Sequence, residues 1–190
     1  MKKVIVILIT FIFFNFNVYA ENFIKHKKNI DGSDTFDISF MFNTVQNVKK
    51  NFQLLTDFEN IHKLNPSVFK TEILSKDVDK IFLKTTFRDC VLFFCREMTM
   101  YEYIFSYCEN NSYCVIQSEV IQKDDSPVVS GKTVWKIKSY LESDYNSTIS
   151  YQSEFKAFLT LPPFIGDSIF KKTIQRNLLH LETKINNYTF

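Results

Sequence analysis

The sequence predicts an α+β fold: a curved antiparallel sheet of about seven strands wrapped around one long C-terminal helix, with two short helices after the first strand. Three observations predict it. Residues 34–42 alternate with a period of two, the chain from 68 to 159 is a series of strand-like runs parted by short polar turns, and the residues after 163 carry an apolar stripe of helical period. An amphipathic helix that follows an antiparallel sheet must bury its stripe, and the concave face of the sheet is the apolar surface on offer.

The N-terminus is a separate matter. Lys2 and Lys3 precede an apolar run from Val4 to Phe16, followed by Val18-Tyr19-Ala20. A basic stretch, an apolar stretch and small residues before a cut make the layout of a secretory signal peptide, with cleavage expected after Ala20. A retained anchor would need about 20 apolar residues, and Asn15 and Asn17 interrupt this run before that length. No cysteine follows the cut, so lipid attachment there is not indicated. The expected organisation is a signal peptide over 1–20, an N-terminal extension over 21–33 and one domain over 34–187. No internal repeat, low-complexity tract or Gly/Ser-rich linker divides that domain. The expected location is across the inner membrane, in the periplasm.

Within the domain, Phe36, Ile38, Phe40 and Phe42 share one side of the first strand, with Asp37, Ser39 and Met41 on the other. From Thr44, a candidate N-cap, Val45, Val48, Phe52 and Leu55 recur at spacings of three and four and predict a helix. A second short helix is expected over Asp57–Lys63, ended by Asn65-Pro66 because the residue before a proline is driven from helical geometry. Strands follow near 68–74, 80–88, 96–107, 113–122, 128–141 and 145–159, and their polar turns favour antiparallel neighbours. One turn position, Asp89–Cys95, is apolar instead. Leu161-Pro162-Pro163 leads into the final helix, where Phe170, Ile174, Leu178, Leu181 and Ile185 form the stripe and prolines suit the first turn.

Composition narrows the function. The 23 basic residues less Lys2 and Lys3 leave 21, against 21 acidic ones. Nucleic-acid binding usually needs a cationic surplus, so that class is set aside. Twenty-one Phe and nine Tyr against three Gly mark an ordered chain rich in strand formers. Cys90, Cys95, Cys108 and Cys114 all follow the cut and read as two disulfides in an oxidising compartment. Four cysteines allow three connectivities, of which Cys90–Cys95 with Cys108–Cys114 is the simplest. His26, His62 and His180 are scattered and no Cys-x-x-Cys pair occurs, so no metal or cofactor is expected. The sequons at Asn110, Asn146 and Asn187 matter only in a eukaryotic secretory route.

The order strand, two short helices, six strands, long helix, together with Leu55-Thr56-Asp57-Phe58-Glu59-Asn60, Leu64-Asn65-Pro66-Ser67-Val68 and Leu161-Pro162-Pro163, resembles the START-like superfamily of polyketide cyclase/dehydrase and lipid-transport proteins. Within it the coenzyme Q-binding START domain family is the nearest resemblance, covering about residues 34–187. The resemblance implies a helix-grip fold enclosing an apolar cavity. It carries over no catalytic set, because the superfamily shares none.

On that reading, Phe87, Met98, Met100, Trp135, Tyr151, Phe155, Phe170 and Ile174 are the candidate cavity residues. Alternation also sends Phe69, Ile73, Ile81, Leu83, Val129, Ile149 and Ala157 to the concave side, although most such residues serve simply as core. Both faces of the strand over 96–107 are partly apolar, with Met98 and Met100 on one side and Tyr101, Tyr103 and Phe105 on the other, so the pattern leaves its parity open. Arg88, Glu97 and His62 have the chemistry to orient a headgroup or act as a base. A surface position suits them better, since no nucleophile, base and orienting partner come together. Val91, Leu92, Phe93, Phe94, Phe164 and Ile165 form a candidate cavity rim, an apolar tip that touches a membrane or else folds inward to plug the pocket. The leading functional expectation is non-catalytic binding or carriage of a hydrophobic small molecule, lipid or isoprenoid quinone. A cyclase or dehydratase type of enzyme, and a protein-interaction module using Val91 to Phe94, are the alternatives.

Overall fold

The computed structural model of the protein describes residues 22–91, 94–140, 143–159 and 166–188. The expected signal peptide, and Leu92, Phe93, Phe164 and Ile165 of the expected rim, lie outside the described residues.

Eight strands form one antiparallel sheet: β1 (Phe23–Lys28), β2 (Asp34–Thr44), β3 (Val68–Lys76), β4 (Ile81–Val91), β5 (Phe94–Asn110), β6 (Tyr113–Val120), β7 (Val128–Tyr140) and β8 (Ser143–Ala157). Their spatial order is β1-β2-β8-β7-β6-β5-β4-β3. Everything from β3 to β8 is a meander, and the chain's second and last strands meet where β2 pairs with β8. Helix α1 (Val48–Thr56) follows β2, and helix α2 (Gly166–Asn186) closes the chain.

The sheet has one strand more than the seven expected. β1 lies in the segment 21–33, where alternation is hidden because Lys25 and Lys27 face outward and a histidine, His26, shares the inward side with Ile24. Lysines on an edge strand discourage pairing with another chain. Thr44 is not the helix cap. β2 runs through it, and Asn47 caps α1 by accepting from the Lys50 amide. The second short helix shrinks to one 3-10 turn over Ile61–Lys63. The expected apolar loop over Asp89–Cys95 is largely strand: β4 continues to Val91 and β5 starts at Phe94. β-branched and aromatic residues favour the strand there over a wide turn.

The core has two ends. At one, Phe42, Ile137, Ile149 and Cys114 from the sheet pack with Leu54 and Leu55 of α1 and with Leu181 and Ile185 of α2, all of them buried. α1 lies against β6, β7 and β8. Asn186, near the last turn of α2, ties this end to the sheet by accepting from the Val45 amide and donating to the Asn43 carbonyl. Cys108 and Cys114 are joined across β5 and β6 as a disulfide with Cα atoms 4.0 Å apart.

Candidate functional site

Register decides which side chains face the hollow of the sheet. Phe36, Ile38, Phe40 and Phe42 of β2 lie opposite Phe155, Ser153, Tyr151 and Ile149 of β8. Those four lie opposite Gly131, Thr133, Trp135 and Ile137 of β7. On the far side, Met98, Met100, Glu102 and Ile104 of β5 lie opposite Phe87, Thr85, Leu83 and Ile81 of β4. The open parity of β5 is thereby resolved: the methionines and Glu102 face inward, and Tyr101 and Tyr103 face outward.

Towards the second end of the hollow the packing loosens. Phe87, Met98, Met100, Trp135, Tyr151, Phe155, Phe170 and Ile174 all lie on the concave face or on α2, and all are only half-buried. Phe87, Trp135, Tyr151 and Phe155 have strand partners on both sides, whereas Met98 and Met100 are paired with β4 alone, the pairing of β5 with β6 beginning at Glu102. The α2 backbone approaches the sheet at β1 and β2. There Phe36 is fully buried, its ring 4.5 Å from that of Phe170 and 5.0 Å from that of Phe155. Deeper in the hollow, Trp135 and Tyr151 are in ring contact at 4.4 Å.

Between these apolar layers runs a polar one. Ser118, Thr133 and Ser153 are direct cross-strand neighbours on β6, β7 and β8. The Thr133 and Ser153 hydroxyls are 2.9 Å apart. Glu102 stands one step away, opposite Val120 on β6 and Leu83 on β4, and is only 9% exposed. Burial pushes its carboxyl up to about 7, while a hydrogen bond with Ser118 pulls the other way. The Tyr151 hydroxyl is also raised, first by burial and then by the Glu102 charge, with hydrogen bonds to Ser153 and Thr133 opposing. A carboxyl balanced near neutrality among hydroxyls can both donate and accept.

Glu102 was not among the sequence candidates, and those that were lie elsewhere. Arg88 and Glu97 face each other across β4 and β5 on the outer side, joined by Arg88 Nε donating to Glu97 Oε1 at 2.7 Å. Arg88 also lies over the Phe69 ring, 3.7 Å from its centre. His62 is exposed. Phe69 is 52% exposed and not concave, because a bulge between Val68 and Lys70 shifts the strand and Val68 takes the inward place. Ile73 keeps the inward parity but is 39% exposed on the uncovered edge strand. A second bulge puts Val128, rather than Val129, in the core. The signal that would have found Glu102 is its spacing: two residues beyond Met100, it shares the face of both methionines.

Where β4 ends and β5 begins, backbone register pairs Cys90 with Cys95 and Val91 with Phe94. Near the N-terminal half of α2, buried Asp34 accepts from His26 at 2.8 Å and Lys28 at 2.9 Å. Burial alone would raise Asp34; the two hydrogen bonds outweigh it and hold the carboxyl below its usual range. The His26 ring stacks on Phe36 at 4.7 Å, so this pair braces the aromatic cluster. Among the described residues no three His, Cys, Asp or Glu side chains converge as a metal site requires.

No protein-family model and no curated protein matches the sequence. Solved structures do match. A STAR-related lipid transfer protein from Xanthomonas axonopodis superposes with a TM-score of 0.61 at 9% identity, over 85% of this chain and 98% of that one. Human StAR-related lipid transfer protein 5 gives 0.64 at 9% identity, over 85% and 86%. The Zhui aromatase/cyclase from Streptomyces sp. R1128 gives 0.62 at 12% identity, over 80% and 91%. The fold is therefore the START helix-grip fold, a curved antiparallel sheet closed by a long C-terminal helix.

Proposed function

We propose that the protein binds a hydrophobic small molecule between α2 and the concave face of the sheet, without catalysis, after export to the periplasm. The observation that carries this reading is the division of the core. One end is packed shut around Ile137 and Ile149, and the other holds eight large apolar side chains that are only partly buried, Trp135, Tyr151, Phe155 and Ile174 among them packing on the edge of the closed core. Protein interiors are close-packed, so apolar surface left half-open beneath a covering helix is a surface kept for something else. The lipid-transfer names of two fold neighbours are consistent with it. A lipid or isoprenoid quinone is the ligand class we favour, passed through a rim at Val91 to Phe94, Phe164 and Ile165 that touches a bilayer. Native mass spectrometry of the protein purified from its own cell envelope tests the reading. A stoichiometric apolar molecule supports it, and a protein that is empty and takes up no lipid from vesicles removes it.

A second reading, a cyclase or dehydratase type of enzyme, is favoured by Glu102 alone. A buried carboxyl at about 7 is suited to general acid or base work. Recovery of the bound molecule in chemically altered form would favour it over carriage.

A further inference from the structure

We propose that Glu102, with the hydroxyls of Ser118, Thr133, Ser153 and Tyr151, is the polar anchor of the hollow and selects apolar ligands that carry an uncharged oxygen function, a hydroxyl or a carbonyl. This rests on the binding reading above and specifies its ligand. The argument starts from cost. A carboxyl in an apolar interior is expensive to keep, and leucine in its place would pack at least as well, so the fold itself does not call for it. At the closed end of the same core Ile104, Ile116, Ile137 and Ile149 fill inward positions on β5 to β8, and the buried Ser147 hydroxyl there is taken up by accepting from Asn51 of α1. Glu102 and the three hydroxyls interrupt that pattern where the packing begins to open.

The chemistry of the cluster then restricts the ligand. Among the described residues of β4 to β8, Lys84, Arg88, Lys132, Lys136, Lys138 and Lys156 all alternate outward; Arg96 shares the parity of Met98 and Met100 but stands opposite Asp89, about 20 Å along β5 from Glu102, so the sheet sets no cation beside that carboxyl. A phosphate or carboxylate headgroup placed beside Glu102 would meet another acid and no counter-charge from the sheet. A cationic headgroup would hold Glu102 ionised and require both charges to leave water together. An uncharged hydroxyl or carbonyl meets neither penalty. The protonated carboxyl donates to it, the serine and threonine hydroxyls donate or accept as required, and the ligand's apolar body lies along Met98, Met100, Phe87 and Phe155.

The protein reports on this site itself. Trp135 is its only tryptophan and lies in ring contact with Tyr151, beside the polar row. Titration of the full mature protein with dodecanol, dodecylamine, dodecanoate and dodecane, followed by Trp135 emission, gives four affinities for one chain length. Dodecanol should bind tightest. Glu102→Leu should weaken dodecanol by about threefold to tenfold, the worth of one neutral hydrogen bond, and leave dodecane unchanged. Glu102→Gln, whose amide both donates and accepts, should keep dodecanol within about twofold of wild type. Thermal melts confirm that both variants fold. Tightest binding of dodecylamine or dodecanoate overturns the proposal, as does a Glu102→Leu variant that still binds dodecanol like wild type. Equal affinity for all four chains removes the anchor and leaves the hydrophobic site standing. No emission change with any of them removes both.

Discussion

If burial raises the Glu102 carboxyl, folding must become less favourable as the pH rises, and by an amount the shift fixes. The ordinary carboxyl value is 4.5 and the folded one is about 7. Between these values the folded chain holds a proton that the unfolded chain has released. Stability from this group is therefore complete below 4.5, falls as the pH climbs through 7, and is constant above it. The shift corresponds to about 3 kcal/mol in all, of which about 2 kcal/mol is lost between pH 5 and pH 8. Urea unfolding at those two pH values, run on wild type and on Glu102→Gln, isolates the effect. The glutamine variant lacks the proton but keeps the shape, and subtracting its pH dependence removes the histidines and surface carboxylates common to both. Wild type should lose about 2 kcal/mol relative to the variant across the window. Equal slopes would show that Glu102 is ionised and solvated in the folded protein, and the anchor argument would lose its premise.

The two-ended core makes a comparative prediction. Ile149→Ala, at a position with no exposure, should cost about 2–5 kcal/mol. Met98→Ala, in the half-open region, should cost about 1 kcal/mol or less by urea unfolding, since little packing is lost; equal costs would refute the division. Cys108→Ser should lower stability by about 2 kcal/mol, the value for closing a loop of this size, read as a shift in the urea midpoint. At the rim, Phe93→Ser with Phe94→Ser should reduce co-sedimentation with liposomes, and undiminished binding would remove the membrane-docking idea.

Most of the architecture could be read from residue order. Strands β2 to β8 and the stripe Leu178, Leu181, Ile185 follow from simple periods in the sequence, because their inward positions are mostly large and apolar. β1 was hidden because its inward positions hold Ile24 and His26, and a histidine paired with Asp34 does not look apolar. The bulges at Val68/Lys70 and Val128/Ser130 misled the assignments of Phe69 and Val129, since one extra residue inverts parity and leaves no mark in composition.

The hidden parity of β5 has a different cause, and it bears on function. Its outward side is aromatic in its own right: Tyr103 packs on Phe82 at 4.8 Å, Lys80 lies over the Tyr103 ring and Lys84 over that of Tyr101. Both sides of the strand therefore look like core, and a glutamate between them is most naturally assigned to solvent. Only pairing with β4 and β6 places it inside, between Leu83 and Val120. Sequence periodicity detects faces through hydrophobic contrast, and a binding site is where that contrast is deliberately weakened: polar atoms are kept inward, and large apolar ones are kept partly open. Glu102, which we propose as the polar anchor, is such a residue: its parity is fixed by strand pairing and not by hydrophobic contrast.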